Sequence, residues 1–202
     1  AHLACEQASN ILTKVLEWGR LASYLEQSTR YIYYDRPLGG RFRYFTPPEL
    51  EESEIKEQFV TYMDFLFRTY SDLVRKLFEH YAKTFPNNQS DSPAVWRATI
   101  RAMACDTARG LLPASTKSNV GIFGTGQAYE SLLLRMRANP LREARDYSSL
   151  MLTELRKVIP AFLRRVDQPD RGVIWSKYLS ETAYATEHIA AQLEAWPQNT
   201  PE

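Results

Sequence analysis

Residues 18–31 read Trp18-Gly19-Arg20-Leu21-Ala22-Ser23-Tyr24-Leu25-Glu26-Gln27-Ser28-Thr29-Arg30-Tyr31. The stretch gathers the donors and acceptors that read phosphates and bases. An arginine presents a planar fork of N–H groups that matches a phosphate, a serine adds a hydroxyl donor, and a glutamate accepts from an imide or a ribose hydroxyl. By themselves the residues also have a plainer reading. They can be a solvated helix end on which Glu26 and Arg30 pair at i, i+4 for about 0.3–0.5 kcal/mol. Residue types alone favour the plainer reading.

Working outward, Ala8, Ile11, Leu12, Val15, Leu16 and Trp18 recur mostly every three or four residues, which predicts a helix from about Ala4 to Leu21. Downstream, Tyr31-Ile32-Tyr33-Tyr34 and Phe42, Tyr44, Phe45 flank Pro37-Leu38-Gly39-Gly40, the pattern of a hairpin or wide aromatic loop whose glycines supply positive backbone angles. Thr46-Pro47-Pro48-Glu49 places a capping hydroxyl, a first-turn proline and a capping-box glutamate in order, so a long helix is expected from there. Its apolar stripe runs through Ile55, Phe59, Tyr62, Leu66, Tyr70, Leu73, Leu77 and Tyr81, and Phe85-Pro86-Asn87-Asn88 ends it. Ser92-Pro93 opens a further helix towards Leu112-Pro113, Asn139-Pro140 another through Leu155, and a last helix spans about Trp175 to Leu193 before a polar, proline-containing tail.

The balance of 25 basic against 24 acidic residues, net +1, gives no global field for nucleic acid or a membrane surface, so any anion site is local. Cys5 and Cys105 are too few for a disulfide framework, which suits a reducing, cytoplasmic setting. His2, His80 and His188 lie far apart and give no metal-ligand spacing. Gly121, Gly124 and Gly126 follow the order G-x-x-G-x-G with no Lys-Ser/Thr after it, which points to a glycine-tolerant helix against a close neighbour rather than a phosphate loop. Arg36, Arg41 and Arg43 interleave with aromatics around Gly39-Gly40. That pattern suits either base stacking with phosphate contacts or an amphipathic hairpin packing its rings, and the second is favoured. The chain opens at Ala1 with a pattern already under way, the expectation being one domain over residues 1–202 within a longer polypeptide.

The quoted stretch resembles the motif R-H-R-x-x-S-x-N-E-x-S-x-R-Y of flavin-dependent thymidylate synthases, matching it at Arg20, Ser23, Glu26, Ser28, Arg30 and Tyr31. Trp18-Gly19 stands where that family has Arg-His, and Leu25 where it has Asn. Ala108-Arg109-Gly110-Leu111-Leu112-Pro113 is similar to the family's A-R-x-x-L-P, and Arg135 with Leu141, Glu143, Ala144 and Arg145 to its R-x4-A-Q-x-E-I-R. Without the resemblance, Arg142 and Arg145 form an ordinary charged helix face. The family's Tyr-Thr and N-x-R elements have no counterpart in Ser115 to Gln127.

The resemblance spans roughly Leu12 to Leu155 and implies an α+β fold, predominantly helical, with a small sheet or aromatic hairpin. It implies reductive methylation of deoxyuridine monophosphate to thymidine monophosphate, with methylenetetrahydrofolate and NADPH as co-substrates and FAD as the redox group. Glu26, Ser28, Arg30 and Arg145 would bind the nucleotide; Arg20, Ser23 and Tyr31 would lie at the flavin. No protein nucleophile is required. The expected assembly is a homo-oligomer, a tetramer with shared sites, without membrane or nucleic-acid partners. Two rivals stand beside this reading: a non-catalytic domain of the family that binds a nucleotide or supports an intact domain, and a helical nucleic-acid-binding module using the Arg36–Arg43 segment, against which the near-neutral charge argues.

Overall fold

The computed structural model describes residues 1–87 and 92–194. Asn88 and the polar tail beyond Glu194 lie outside the described residues. In chain order the elements are β1 (His2–Ser9), α1 (Asn10–Leu16), β2 (Ala22–Glu26), α2 (Lys56–Thr84), α3 (Pro93–Ala108), β3 (Lys117–Gly124), α4 (Gly126–Arg137), α5 (Arg142–Arg156) and α6 (Ile174–Glu194). The three strands form an antiparallel sheet in the order β1-β3-β2. The architecture is thus the mostly helical α+β class with a small sheet. By internal contacts the chain divides into two compact units: Ala4–Glu17 with Tyr24–Ile122, and Ala1–Leu3 with Trp18–Ser23 and the residues from Phe123 onward.

In the first of these units the core is aromatic. Tyr34, Tyr44, Phe67, Tyr70 and Val74 are buried together with Ala104, Cys105 and Ala108, where α2 packs on α3. Phe42 stacks on Phe67 at 5.4 Å between ring centroids, and Tyr34 meets the same ring edge-on at 6.4 Å. Leu38 and Arg41 exchange backbone hydrogen bonds around Gly39 (φ 61°) and Gly40 (φ 84°), the two-residue hairpin turn that requires positive φ at both positions. α3 begins as the sequence indicates, the Ser92 hydroxyl accepting from the Val95 N–H at 3.3 Å.

In the other unit, α4 packs on α5 over Tyr129, Leu132, Leu133, Met136, Ala144, Met151 and Leu155. The buried Ser148 hydroxyl donates to the Leu133 carbonyl at 3.0 Å, so its polar group is paired within the seam. Thr125 caps α4 by accepting from the Ala128 N–H at 3.2 Å. After α5, Arg156 grips Asp167 with both guanidinium arms, at 2.8 and 2.5 Å, and closes the turn ahead of α6.

Four local expectations are corrected. The helix expected from Ala4 to Leu21 is β1, the seven-residue α1 and a turn into β2. His2 to Ser9 contains good helix formers, but pairing with β3 satisfies its backbone and buries Cys5, Ala8 and Ser9, and tertiary pairing outweighs a preference of tenths of a kcal/mol per residue. Thr46 caps nothing: Pro48–Leu50 is a single 3-10 turn and α2 begins at Lys56, because Thr46 and Pro47 both precede prolines and are pushed out of the helical region. The buried face of α2 runs through Phe67, Tyr70 and Val74, while Tyr62 is 57% exposed. Lastly, Gly121 and Gly124 lie in strand β3 rather than in a helix, with Gly126 opening α4 against Phe162.

Two consequences are measurable. A Cβ on Gly172 would collide with the backbone of Arg165 and Val166, whereas one on Gly110 would meet nothing within 4 Å. Gly172→Ala is expected to cost about 1–3 kcal/mol and lower the thermal midpoint, with Gly110→Ala close to neutral; equal midpoints would contradict the packing. Burial pushes the Cys5 thiol from 9.0 up to about 11. A raised folded value means this contribution to stability is full below about pH 9 and is lost as pH climbs towards 11, so the urea midpoint should fall over that window less in Cys5→Ala than in wild type.

Candidate functional site

β2 does not stop cleanly at Glu26, because β3 continues to hold the chain one residue further. The Gln27 N–H donates to the Asn119 carbonyl at 2.9 Å, the Ser118 hydroxyl donates to the Gln27 carbonyl at 3.0 Å, and the Asn119 side-chain amide donates to Gln27 Oε1 at 2.9 Å. Gln27 is therefore pinned by three hydrogen bonds to one strand. The residues on either side, Glu26 and Ser28, are presented from a fixed backbone rather than from a mobile helix end.

Glu26 is half-buried and receives Lys14 Nζ of α1 at 2.9 Å. Burial works against the Lys14 charge, yet its hydrogen bonds and the fields of Glu26 and Glu17 hold the ammonium above its ordinary value. The i, i+4 pair of Glu26 with Arg30 does not form, since Glu26 ends a strand and Arg30 lies in the turn after it. That turn is closed by the Tyr31 N–H donating to the Ser28 carbonyl at 3.2 Å, and the Ser28 hydroxyl accepts from the Arg30 N–H at 3.3 Å.

Arg30 then reaches α3. Its Nε and Nη2 donate to the two oxygens of Asp106 at 2.8 and 3.2 Å, a bidentate fork. Arg109, one helical turn on, places its Nε 3.0 Å from the same carboxylate. Two guanidiniums thus share one carboxylate, and the cluster carries a net charge of +1. The hydrogen bond from Arg30 holds the Asp106 carboxyl below its ordinary value, with the Arg109 and Arg30 charges adding to it, while the same bond raises Arg30. Both arginine side chains stay about half exposed, at 50% and 43%, so their remaining N–H groups face solvent. Chemically this is an anion receiver: pre-oriented forks, a serine hydroxyl at the turn, and incomplete neutralisation.

The other expected site residues are placed differently. Arg20 and Ser23 belong with Trp18 to the unit that holds α4–α6, and Tyr31 is 70% exposed. Trp18 is 77% and Leu25 80% exposed. Arg20, Ser23 and Tyr31 are all exposed, so none of these three side chains lies in a covered slot of the kind an isoalloxazine ring needs. Arg145 sits in the first turn of α5 and folds back, its Nη1 donating to the Asn139 and Pro140 carbonyls at 2.7 and 2.6 Å. Arg142 pairs with Asp146 at 3.7 Å. The structure therefore unites Ser28 and Arg30 with Arg109, and adds Asp106 and Lys14, which the sequence reading passed over. Asp106 lies three residues before Arg109 on a helix, a spacing that hints at their pairing, but nothing local links it to Arg30.

Residues 1–161 match the family model described as thymidylate synthase complementing protein. A UPF0159 protein of Chlamydia muridarum is 41% identical over 168 residues, covering 83% of this chain and 32% of that protein. The flavin-dependent thymidylate synthase of Clostridium tetani is 27% identical over 160 residues, covering 78% of this chain and 58% of that enzyme. The chain spans about a third of the length of the UPF0159 proteins it matches. Among solved structures, the UMP/dUMP methylase PolB from Streptomyces cacaoi bound with 5-Br dUMP superposes with a TM-score of 0.46 at 17% identity, covering 81% of this chain and 68% of that one. Among the described residues no helix is long and apolar enough to cross a membrane.

The shared carboxylate makes a direct prediction. A depressed folded value means the Asp106 ion pairs are present above the ordinary 3.8 and are lost only as pH falls through the lower, folded value. Carbon-detected NMR titration should place the Asp106 midpoint below 3.8, and Arg30→Gln should move it upward. A midpoint unmoved by that substitution would remove the bidentate pair from solution.

Proposed function

The chain belongs to the thymidylate synthase complementing protein family, and from that premise we propose that it binds deoxyuridine monophosphate as the nucleotide-holding part of an FAD-dependent thymidylate synthase. The reaction of such an assembly is reductive methylation of the nucleotide to thymidine monophosphate, with methylenetetrahydrofolate and NADPH as co-substrates. The observation that carries the reading is the Arg30–Asp106–Arg109 cluster beside Ser28, in the segment that matches the family's nucleotide motif.

In this reading each side chain has a defined task. Arg30 and Arg109 meet the phosphate with the N–H groups that Asp106 leaves free, and Asp106 sets their planes beforehand so that little rotamer entropy is lost on binding. The Ser28 hydroxyl, which accepts from the Arg30 N–H, keeps its own proton to donate to a phosphate oxygen. Glu26, held in place by Lys14, accepts from the sugar or the base imide. FAD, when bound, supplies the redox chemistry. Since Arg20, Ser23 and Tyr31 are exposed, a second surface, in a homotetramer or in the remainder of a longer protein, is required to enclose it.

A second reading has one observation in its favour. Trp18-Gly19 replaces the family's flavin-contacting Arg-His, and the Trp18 ring is 77% exposed, which suits a nucleotide-binding domain that supports catalysis elsewhere without performing it. Calorimetric titration with deoxyuridine monophosphate is expected to saturate, and Arg30→Gln should weaken it at least ~10-fold through loss of a charge-assisted fork. Affinity equal in wild type and Arg30→Gln would sink the nucleotide assignment. Incubation with FAD, desalting and a visible spectrum then separates the two readings: retained flavin supports the synthase, and a colourless protein that still binds the nucleotide supports the second.

A further inference from the structure

A separate cavity of about 730 Å³ lies between the Tyr33–Arg43 loop and helices α2 and α3. Its volume falls in the range of small-molecule sites. Four guanidiniums line it, those of Arg36, Arg43, Arg75 and Arg101, against the two carboxylates of Asp35 and Glu79, which leaves a local charge of +2. This concentration stands out on a chain whose overall charge is only +1.

How the arginines are held matters more than their number. Arg43 donates through Nη2 to the Tyr33 carbonyl, and its guanidinium lies 4.1 Å from the centre of the buried Tyr34 ring. Arg101, from α3, lies 4.5 Å from the centre of the Tyr33 ring. Both are oriented by aromatic faces and a carbonyl, contacts that fix a guanidinium without neutralising it. Arg30, Arg68, Arg109, Arg142 and Arg156, outside the cavity, are instead oriented by carboxylates. Among the described residues none of the ion pairs involves Arg36, Arg43 or Arg101, although Asp35 and Glu79 line the same cavity. Only Arg75 is paired, with the exposed Asp72. The floor is apolar, made by the buried Val74 and the half-buried Phe78.

We propose that this cavity binds a small organic phosphate, the phosphate on Arg43 and Arg101 with Arg36 closing from the loop, and the apolar part of the molecule on Val74 and Phe78. Three guanidiniums without carboxylate partners are costly to gather unless an anion completes them, and cation–π anchoring keeps the forks of Arg43 and Arg101 pointed for bidentate contact. The apolar floor gives no gain to a bare ion and so selects a phosphate carried on a planar or hydrocarbon body. The site shares no residue with the Arg30–Asp106–Arg109 cluster and does not depend on the function proposed for it.

The test uses 1-naphthyl phosphate as probe, with inorganic phosphate and 1-naphthol as its two halves, in calorimetric titrations of the intact protein. Naphthyl phosphate should saturate, binding more tightly than either half. Arg101→Gln and Arg36→Gln should each weaken it by about 10-fold, as expected for loss of a charge-assisted contact. Phe78→Ala should weaken naphthyl phosphate but leave inorganic phosphate unchanged. Arg36 is exposed on the loop, so Arg36→Gln decides the matter should Arg101→Gln fail to fold. Binding that does not saturate, or that survives Arg36→Gln at full strength, overturns the proposal. Retention of a single-stranded oligonucleotide without binding of naphthyl phosphate overturns it in favour of a nucleic-acid surface.

Discussion

The backbone ladder of β3 is the constraint on which the rest depends. As the middle strand it gives hydrogen-bond partners to β1 on one side and β2 on the other, so two segments with little strand character of their own become strands. Its hold on Gln27 carries the ladder one residue past β2 and sets the direction in which the chain enters the Ser28–Tyr31 turn. Everything proposed for the nucleotide site follows from that exit angle, because it aims Arg30 at α3 instead of along a helix face at Glu26.

Charge is then distributed by sharing rather than by simple pairing. Asp106 holds Arg30 and Arg109 together, while Glu26 is taken by Lys14. Pairs this exposed contribute little to stability. Their value is geometric: a carboxylate shared between two guanidiniums orients both and neutralises only one. The loop cavity reaches a similar end by different means, since there tyrosine rings and a carbonyl do the orienting and the carboxylates stay out of ion-pair range. Unspent positive charge at oriented forks is the common feature of the two places, and it arises on a chain with almost no net charge.

The sequence alone determined a good deal. Positions whose chemistry is local were readable as they stand: Ser92-Pro93 starts a helix because the hydroxyl and the ring act within one turn, and Gly39-Gly40 makes a hairpin turn because both residues need positive φ. The motif from Arg20 to Tyr31 and the Ala108–Pro113 block, being fixed spacings of particular residue types, carried the family, which the match over residues 1–161 bears out. What only the tertiary structure decided were the matters settled by partners far along the chain. Whether His2–Ser9 is helix or strand depends on β3, more than a hundred residues away. Likewise the partner of Arg30 is Asp106, 76 residues on, and no local rule connects them. Period and capping are written in neighbouring residues; strand pairing and ion pairing are chosen by whichever distant group the fold brings within hydrogen-bond reach, and that choice is made by the packed chain as a whole.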